Sequence, residues 1–203
     1  MRPAVPFSYP GIDGDIDRFR ELFRLGLKTA GWVPRPLPAI LNLACGRADE
    51  TGVLVESLAP ISGPLFLLGI DLRPAEIQEA KARWLPTREP DHQIEFRAGD
   101  ASRVDRMRQL PPFDFIFIRH QNYWSEVEVW TRLLRNALAA LKPDGVLGIT
   151  SYFDREHELA SACLAQLGAT RIADLLHPAS RPLGDAPGKS VDRRLAFFRS
   201  GGL

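Results

Sequence analysis

Short apolar runs alternate along this chain with longer amphipathic segments, and few folds accommodate that alternation. Residues 39–43, 65–70, 94–97, 113–118 and 146–150 read as strands, apolar enough to be covered on both faces. Residues 50–58 and 74–85 carry helical spacing between the first three, the second with Pro74 near its first turn. Strand, helix, strand in sequence implies parallel pairing through crossovers. Between the fourth and fifth runs, SEVEVWTRLLRNALAALKPDG carries its own limits: Ser125 with Glu128 makes a capping-box pattern, and Pro143-Asp144-Gly145 makes a stop. Beyond the fifth run, residues 156–167 form a helix closed by Gly168, and 171–175 and 194–199 form two late strands. The Pro-, Gly- and Ser-rich stretch between those strands reads as a surface loop and has no helical pattern, so the last strand is expected to be antiparallel. The expected fold is α/β: a doubly wound, mostly parallel seven-stranded sheet with an antiparallel last strand and helices on both faces.

Ahead of the sheet, DGDIDRFRELFRLGLKTAG places Ile16, Phe19, Phe23 and Leu27 at helical spacing and ends in Gly31. Residues 1–35 are therefore expected to be a tail and a capping helix, and 36–203 a Rossmann-like domain, the two making one compact domain overall; Phe7 and Tyr9 read as a lid over the ligand, with a disordered tail as the alternative. The 203 residues suit one domain with a substantial core. A net charge of +1, from 26 basic and 25 acidic side chains, gives no electrostatic case for a nucleic-acid or membrane-surface partner and points to a small-molecule substrate. Two cysteines inside apolar runs, no signal-peptide pattern and no membrane-length apolar stretch fit a cytoplasmic protein; the oligomeric state is not encoded legibly. Cys45 reads as a packing residue, and His92, His120, His157 and His177 lack metal-ligand spacing, so no metal site is expected.

In a doubly wound sheet the ligand sits at the carboxyl ends of the strands, where strand order reverses. The first strand ends in ILNLACGRADET, whose small residues Ala44, Cys45, Gly46 and Ala48 let backbone N–H groups approach an anionic group before a helix begins. The second ends at Asp71, an acceptor for two ribose hydroxyls, and the third runs into Gly99-Asp100-Ala101, where a second acid can accept from an exocyclic amine. These strand ends describe a nucleoside pocket.

The order and spacing of ILNLACGRADET, LLGID, RAGDAS, PFDFIFIRH and LAALKPDGVLGITSY resemble those of class I S-adenosylmethionine-dependent methyltransferases, over about residues 36 to 200. The resemblance implies S-adenosylmethionine as cofactor, with Gly46 and its neighbours Asn42, Ala44, Cys45 and Ala48 beside the methionine part. It implies Asp71 and Leu72 at the ribose side, Asp100 and Ala101 at the adenine, and Arg119 among the cofactor residues. The chain departs from the family in its first motif. Asn42 stands where an acid is usual, and Ala44 and Ala48 stand where glycines are common. Alanine leaves the backbone donors in place if the native angles are ordinary.

After the fourth strand, His120 can take a proton from an acceptor oxygen or nitrogen, or else simply hydrogen-bond the loop. Tyr123 and Trp124 can form an aromatic wall against substrate or pack the start of the helix that follows. Asp114 lies at the wrong end of its strand and reads as structural. The basic residues Arg181, Lys189, Arg193 and Arg194 read as a solvated loop, with an acidic substrate as the alternative. The leading expectation is a methyltransferase acting on a small molecule. Its rival keeps the fold as a non-catalytic cofactor-binding or scaffold protein. A nicotinamide dehydrogenase fits Asp71 but not the missing glycines, the Gly99-Asp100 pair or the antiparallel last strand.

Overall fold

A computed structural model describes residues 11–33, 35–59, 63–87 and 91–201. Phe7 and Tyr9 lie outside these residues. The strands β1 (Ala39–Leu43), β2 (Phe66–Asp71), β3 (Gln93–Ala98), β4 (Phe113–Ile118), β5 (Leu141–Ser151), β6 (Ala169–Leu176) and β7 (Arg194–Ser200) form one sheet in the order β3-β2-β1-β4-β5-β7-β6. Pairings from β3 through β5 are parallel, and β7 is antiparallel to both β5 and β6. Strand order reverses between β1 and β4, which fixes where a ligand crevice opens.

Alternation along each central strand divides the core in two. Leu41, Leu43, Ile116, Ile118, Leu147 and Ile149 face the side covered by α4 (Val127–Ala140) and α5 (Asp154–Gln166). Ile40, Leu67, Phe115, Phe117 and Phe197 face α1 (Ile12–Ala30), α2 (Thr51–Leu58) and α3 (Pro74–Trp84). Phe19 and Phe23 of α1 are fully buried against Phe115, Phe117 and Phe197, with ring centroids 5.4 to 5.7 Å apart. Each such ring contributes roughly 1.5–3 kcal/mol by leaving water. The first helix is therefore part of the core. Gly26 permits its close approach, since a Cβ there would stand 2.7 Å from Leu195.

Two local expectations are corrected, and one element is added to those read from the sequence. The helix after β4 begins at Val127 without a side-chain cap, because the Ser125 hydroxyl donates instead to the Asn122 carbonyl. The Lys-Pro-Asp-Gly segment extends β5 back to Leu141, pairing Leu141 with Phe113 across a register shift, so the helix stops at Ala140. A short 3-10 helix, Ala101–Arg106, follows β3, capped by the Asp100 carboxylate accepting from Ser102 N at 2.9 Å. Among the described residues no helix is long and apolar enough to cross a membrane.

Candidate functional site

The loop after β1 turns three times through the left-handed region, at Ala44 (φ 52°), Gly46 (φ 53°) and Ala48 (φ 56°). The condition of ordinary angles at the two alanines is not met: both sit where an L side chain costs roughly 1–2 kcal/mol. Neighbouring elements hold the loop in place. Trp84 Nε1 donates to the Ala48 carbonyl at 2.8 Å, Arg83 pairs with Asp49, and Cys45 N donates to Ile70 O at 3.1 Å. The methyl of Ala48 is fully buried. Cys45 is a buried free thiol that burial pushes up in pKa, so it is protonated and inert at neutral pH.

Asp71, at the end of β2, is almost fully buried and lies against this loop. Its Oδ2 accepts from Gly46 N at 2.7 Å and Arg73 Nη2 at 3.3 Å, and its Oδ1 from Arg73 N at 2.9 Å and Arg73 Nε at 3.0 Å. Burial raises this carboxyl, but the Arg73 and Gly46 bonds outweigh it and hold the pKa below the ordinary value. Backbone donors take one acceptor position on each oxygen; the Arg73 side chain, 62% exposed, takes another on each. Leu72 beside it is exposed. Asp100 is half-exposed, its Oδ1 committed to Ser102 N and Oγ, and Ala101 is buried behind it.

Beneath the first loop lies a buried polar cluster on the α1 side of the sheet. Asn42 Nδ2 donates to Glu50 Oε1 at 2.5 Å; Glu50 Oε2 lies 3.7 Å from Arg119 Nη1. Arg119 forks onto Asp192, Nε to Oδ1 at 3.1 Å and Nη2 to Oδ2 at 2.6 Å, and lies 4.8 Å over the Phe19 ring. Its guanidinium thus faces inward. Asp192 also accepts from Thr150 Oγ1 at 2.9 Å and lies 2.9 Å from His120 Nε2, an oblique contact that falls short of an in-line hydrogen bond and becomes ionic only when the ring is protonated. Burial raises the Asp192 carboxyl, yet Arg119 and His120 overcome it and hold the group well below the carboxylate range. Burial lowers His120 against the pull of Asp192, so the ring is neutral near pH 7. The ring stacks on Tyr152 at 4.0 Å, and Lys189 lies 5.0 Å over the other aromatic partner of that stack, Tyr152 itself.

The two aromatics expected as a wall separate. Tyr123 is buried, its hydroxyl 3.1 Å from Thr131 Oγ1, and belongs to the core. Trp124 is 41% exposed and packs on Phe153 at 4.8 Å. Asp114 accepts from Ala39 N and Lys142 Nζ at the opposite end of the sheet. The stretch read as a solvated basic loop is instead tied down: Arg181 pairs with Asp15 of α1, Lys189 with Asp185, and Arg193 and Arg194 with Asp154. Sequence reasoning missed Glu50, Thr150, Tyr152 and Asp192. Thr150 and Tyr152 lie where β5 ends, so the strand-end rule pointed there; nothing local marks Glu50 or Asp192.

A family model described as "Methyltransferase domain" matches residues 40–145. No curated protein matches the sequence. Among solved structures, an S-adenosylmethionine-dependent methyltransferase from Clostridium acetobutylicum superposes with a TM-score of 0.67 at 11% identity, covering 92% of each chain. Magnesium protoporphyrin IX methyltransferase from Synechocystis, solved with the cofactor bound, gives 0.67 at 14% identity over 96% of this chain and 86% of the other. A putative rRNA methylase from Clostridium thermocellum gives 0.62 at 13% identity over 93% and 96%.

Proposed function

Because the chain belongs to the methyltransferase domain family, we propose that it moves a methyl group from S-adenosylmethionine to a small-molecule acceptor held beyond the ends of β4 and β5. The observation that carries the reading is the acceptor arrangement at Asp71. Its backbone partners leave each carboxylate oxygen one further position, which Arg73 fills and two vicinal ribose hydroxyls match. Leu72 and the Asp100 cap lie next along the strand ends, on the side where an adenine would follow. The bound cofactor would supply an activated sulfonium methyl, leaving the protein chiefly to align the acceptor.

Acceptor-side roles fall to His120, Tyr152 and Trp124. A neutral His120 can accept a proton from an acceptor hydroxyl or amine, with Asp192 stabilising the imidazolium that results. The small-molecule reading is supported by the charge pattern. The basic side chains Arg181, Lys189 and Arg193 of the segment before β7 are each matched by an acid, so that segment offers no unpaired basic stripe to a phosphate backbone.

Calorimetric titration with S-adenosylhomocysteine tests the cofactor reading: binding is expected, and no binding at millimolar ligand would sink it. Asp71→Ala should weaken that binding by about 1.5–3 kcal/mol through lost charge-assisted bonds. Unchanged affinity would remove Asp71 from the site.

A further inference from the structure

Glu50 is a buried carboxylate with an incomplete set of partners. It is 3% exposed and stands directly under the first loop, where, after burial, its charge and that of Asp71 add to the rise of the Cys45 thiol. The cation facing it is Arg119, but that guanidinium is already forked onto Asp192 at 2.6 and 3.1 Å and reaches Glu50 only at 3.7 Å. Two buried carboxylates therefore share one positive charge. Its other partners are neutral: the Asn42 amide, which donates to Oε1, and a backbone N–H at Glu50 itself; neither supplies a positive charge. Burial accordingly pushes the Glu50 carboxyl above its ordinary value, against the pull of Arg119 and Asn42.

A second observation comes from the other end of the same amide. Asn42 is fully buried, and its Oδ1 has no donor among the described residues. Buried acceptors without donors are uncommon, and each costs roughly 1–3 kcal/mol. The cluster thus lacks one positive charge and one hydrogen-bond donor. An ammonium group supplies both.

We propose that Glu50 and Asn42 together receive the ammonium of the cofactor's amino-acid part, so that the carboxylate of this subsite is carried by position 50 and the neutral amide by position 42. This assignment rests on the cofactor reading above. It makes Asn42 one half of a relocated acid pair, and no sign of a site losing its ligand.

The test is a ligand-by-variant cycle on the full chain. S-adenosylhomocysteine and its deaminated analogue, which keeps the adenosine, the sulfur and the carboxylate, are titrated against the native protein and Glu50→Gln. Native protein should prefer the amine-bearing ligand by about tenfold or more, as a charge-assisted contact requires, and Glu50→Gln should erase most of that preference. The exchange variant N42D/E50Q keeps one carboxylate in the pair and should retain the preference; it also serves where Glu50→Gln alone does not fold. Equal preference in native protein and Glu50→Gln, or no preference in the native protein, overturns the proposal. So does loss of preference in an exchange variant that still binds the analogue. Failure of the native protein to bind either ligand overturns the cofactor reading instead.

Discussion

Replacing Asp192 by asparagine separates charge from shape at the most heavily committed acid in the molecule. Asn has nearly the same volume and tolerates the left-handed backbone that Asp192 adopts (φ 50°). What disappears is the negative charge between Arg119, at 2.6 and 3.1 Å, and His120, at 2.9 Å. Breaking a buried pair by removing one partner costs about 3–5 kcal/mol, since the other charge stays desolvated. Glu50, 3.7 Å from the same guanidinium, can take part of that load, which places the expected loss near the lower end, about 3 kcal/mol. For a domain of this size that is a fall in Tm of roughly 6–12 °C. Thermal and urea unfolding followed by circular dichroism at pH 7 would measure it. The native Asp192 pKa is depressed, so its contribution is present above the unfolded carboxyl value and is lost as pH falls through the folded one. The gap between native and variant should therefore be full at pH 7 and narrow below about pH 4. A loss under about 1 kcal/mol at pH 7, or a gap that widens in acid, would refute the reasoning that the Asp192 charge, set before β7, stabilises the fold through Arg119 after β4.

Arg73→Ala should raise affinity for S-adenosylhomocysteine by about two- to fivefold, because the ligand no longer has to displace an exposed ion pair from Asp71; weaker binding in calorimetry would make Arg73 a ligand contact. Ala44→Gly should stabilise the fold by roughly 0.5–1 kcal/mol, relief of left-handed strain outweighing the added entropy of the unfolded chain. A lower urea midpoint would show that the Ala44 methyl is held by contacts worth more than its strain.

The parts of the fold legible in the sequence are those set by local pattern. β1, β2 and β4 are short apolar runs covered on both faces, and no other placement hides Phe113, Phe115 and Phe117 together with Ile116 and Ile118. The strand-end rule then brings the 44–48 loop and Asp71 together, because β1 and β2 are parallel neighbours in register. It fails where a tertiary partner decides the outcome. The capping pattern at Ser125 loses to the Asn122 carbonyl, and Tyr123 turns into the core toward Thr131 of the following helix. Asp192 sits in a stretch whose Pro and Gly content signals exposure, yet pairing with Arg119, 73 residues earlier in the chain, takes it fully inside.

The first loop shows why a departure from a family pattern does not by itself mean loss. Judged alone, Asn42, Ala44 and Ala48 subtract a charge and two flexible positions. In the structure two of the three changes meet a partner, and Ala44 keeps its left-handed strain. Asn42 faces Glu50, which returns a carboxylate to the same spot. Ala48 buries its methyl completely, and its carbonyl is held by Trp84 while Arg83 secures Asp49 beside it. Burying one methyl contributes about 0.8 kcal/mol and a bond to a buried carbonyl about 1 kcal/mol, together comparable with the cost of the left-handed angle. A loop braced in this way can hold the angles that glycine would otherwise supply, provided α3 stays docked against it. The geometry of the first loop therefore depends on Trp84 and Arg83, side chains at the far end of α3.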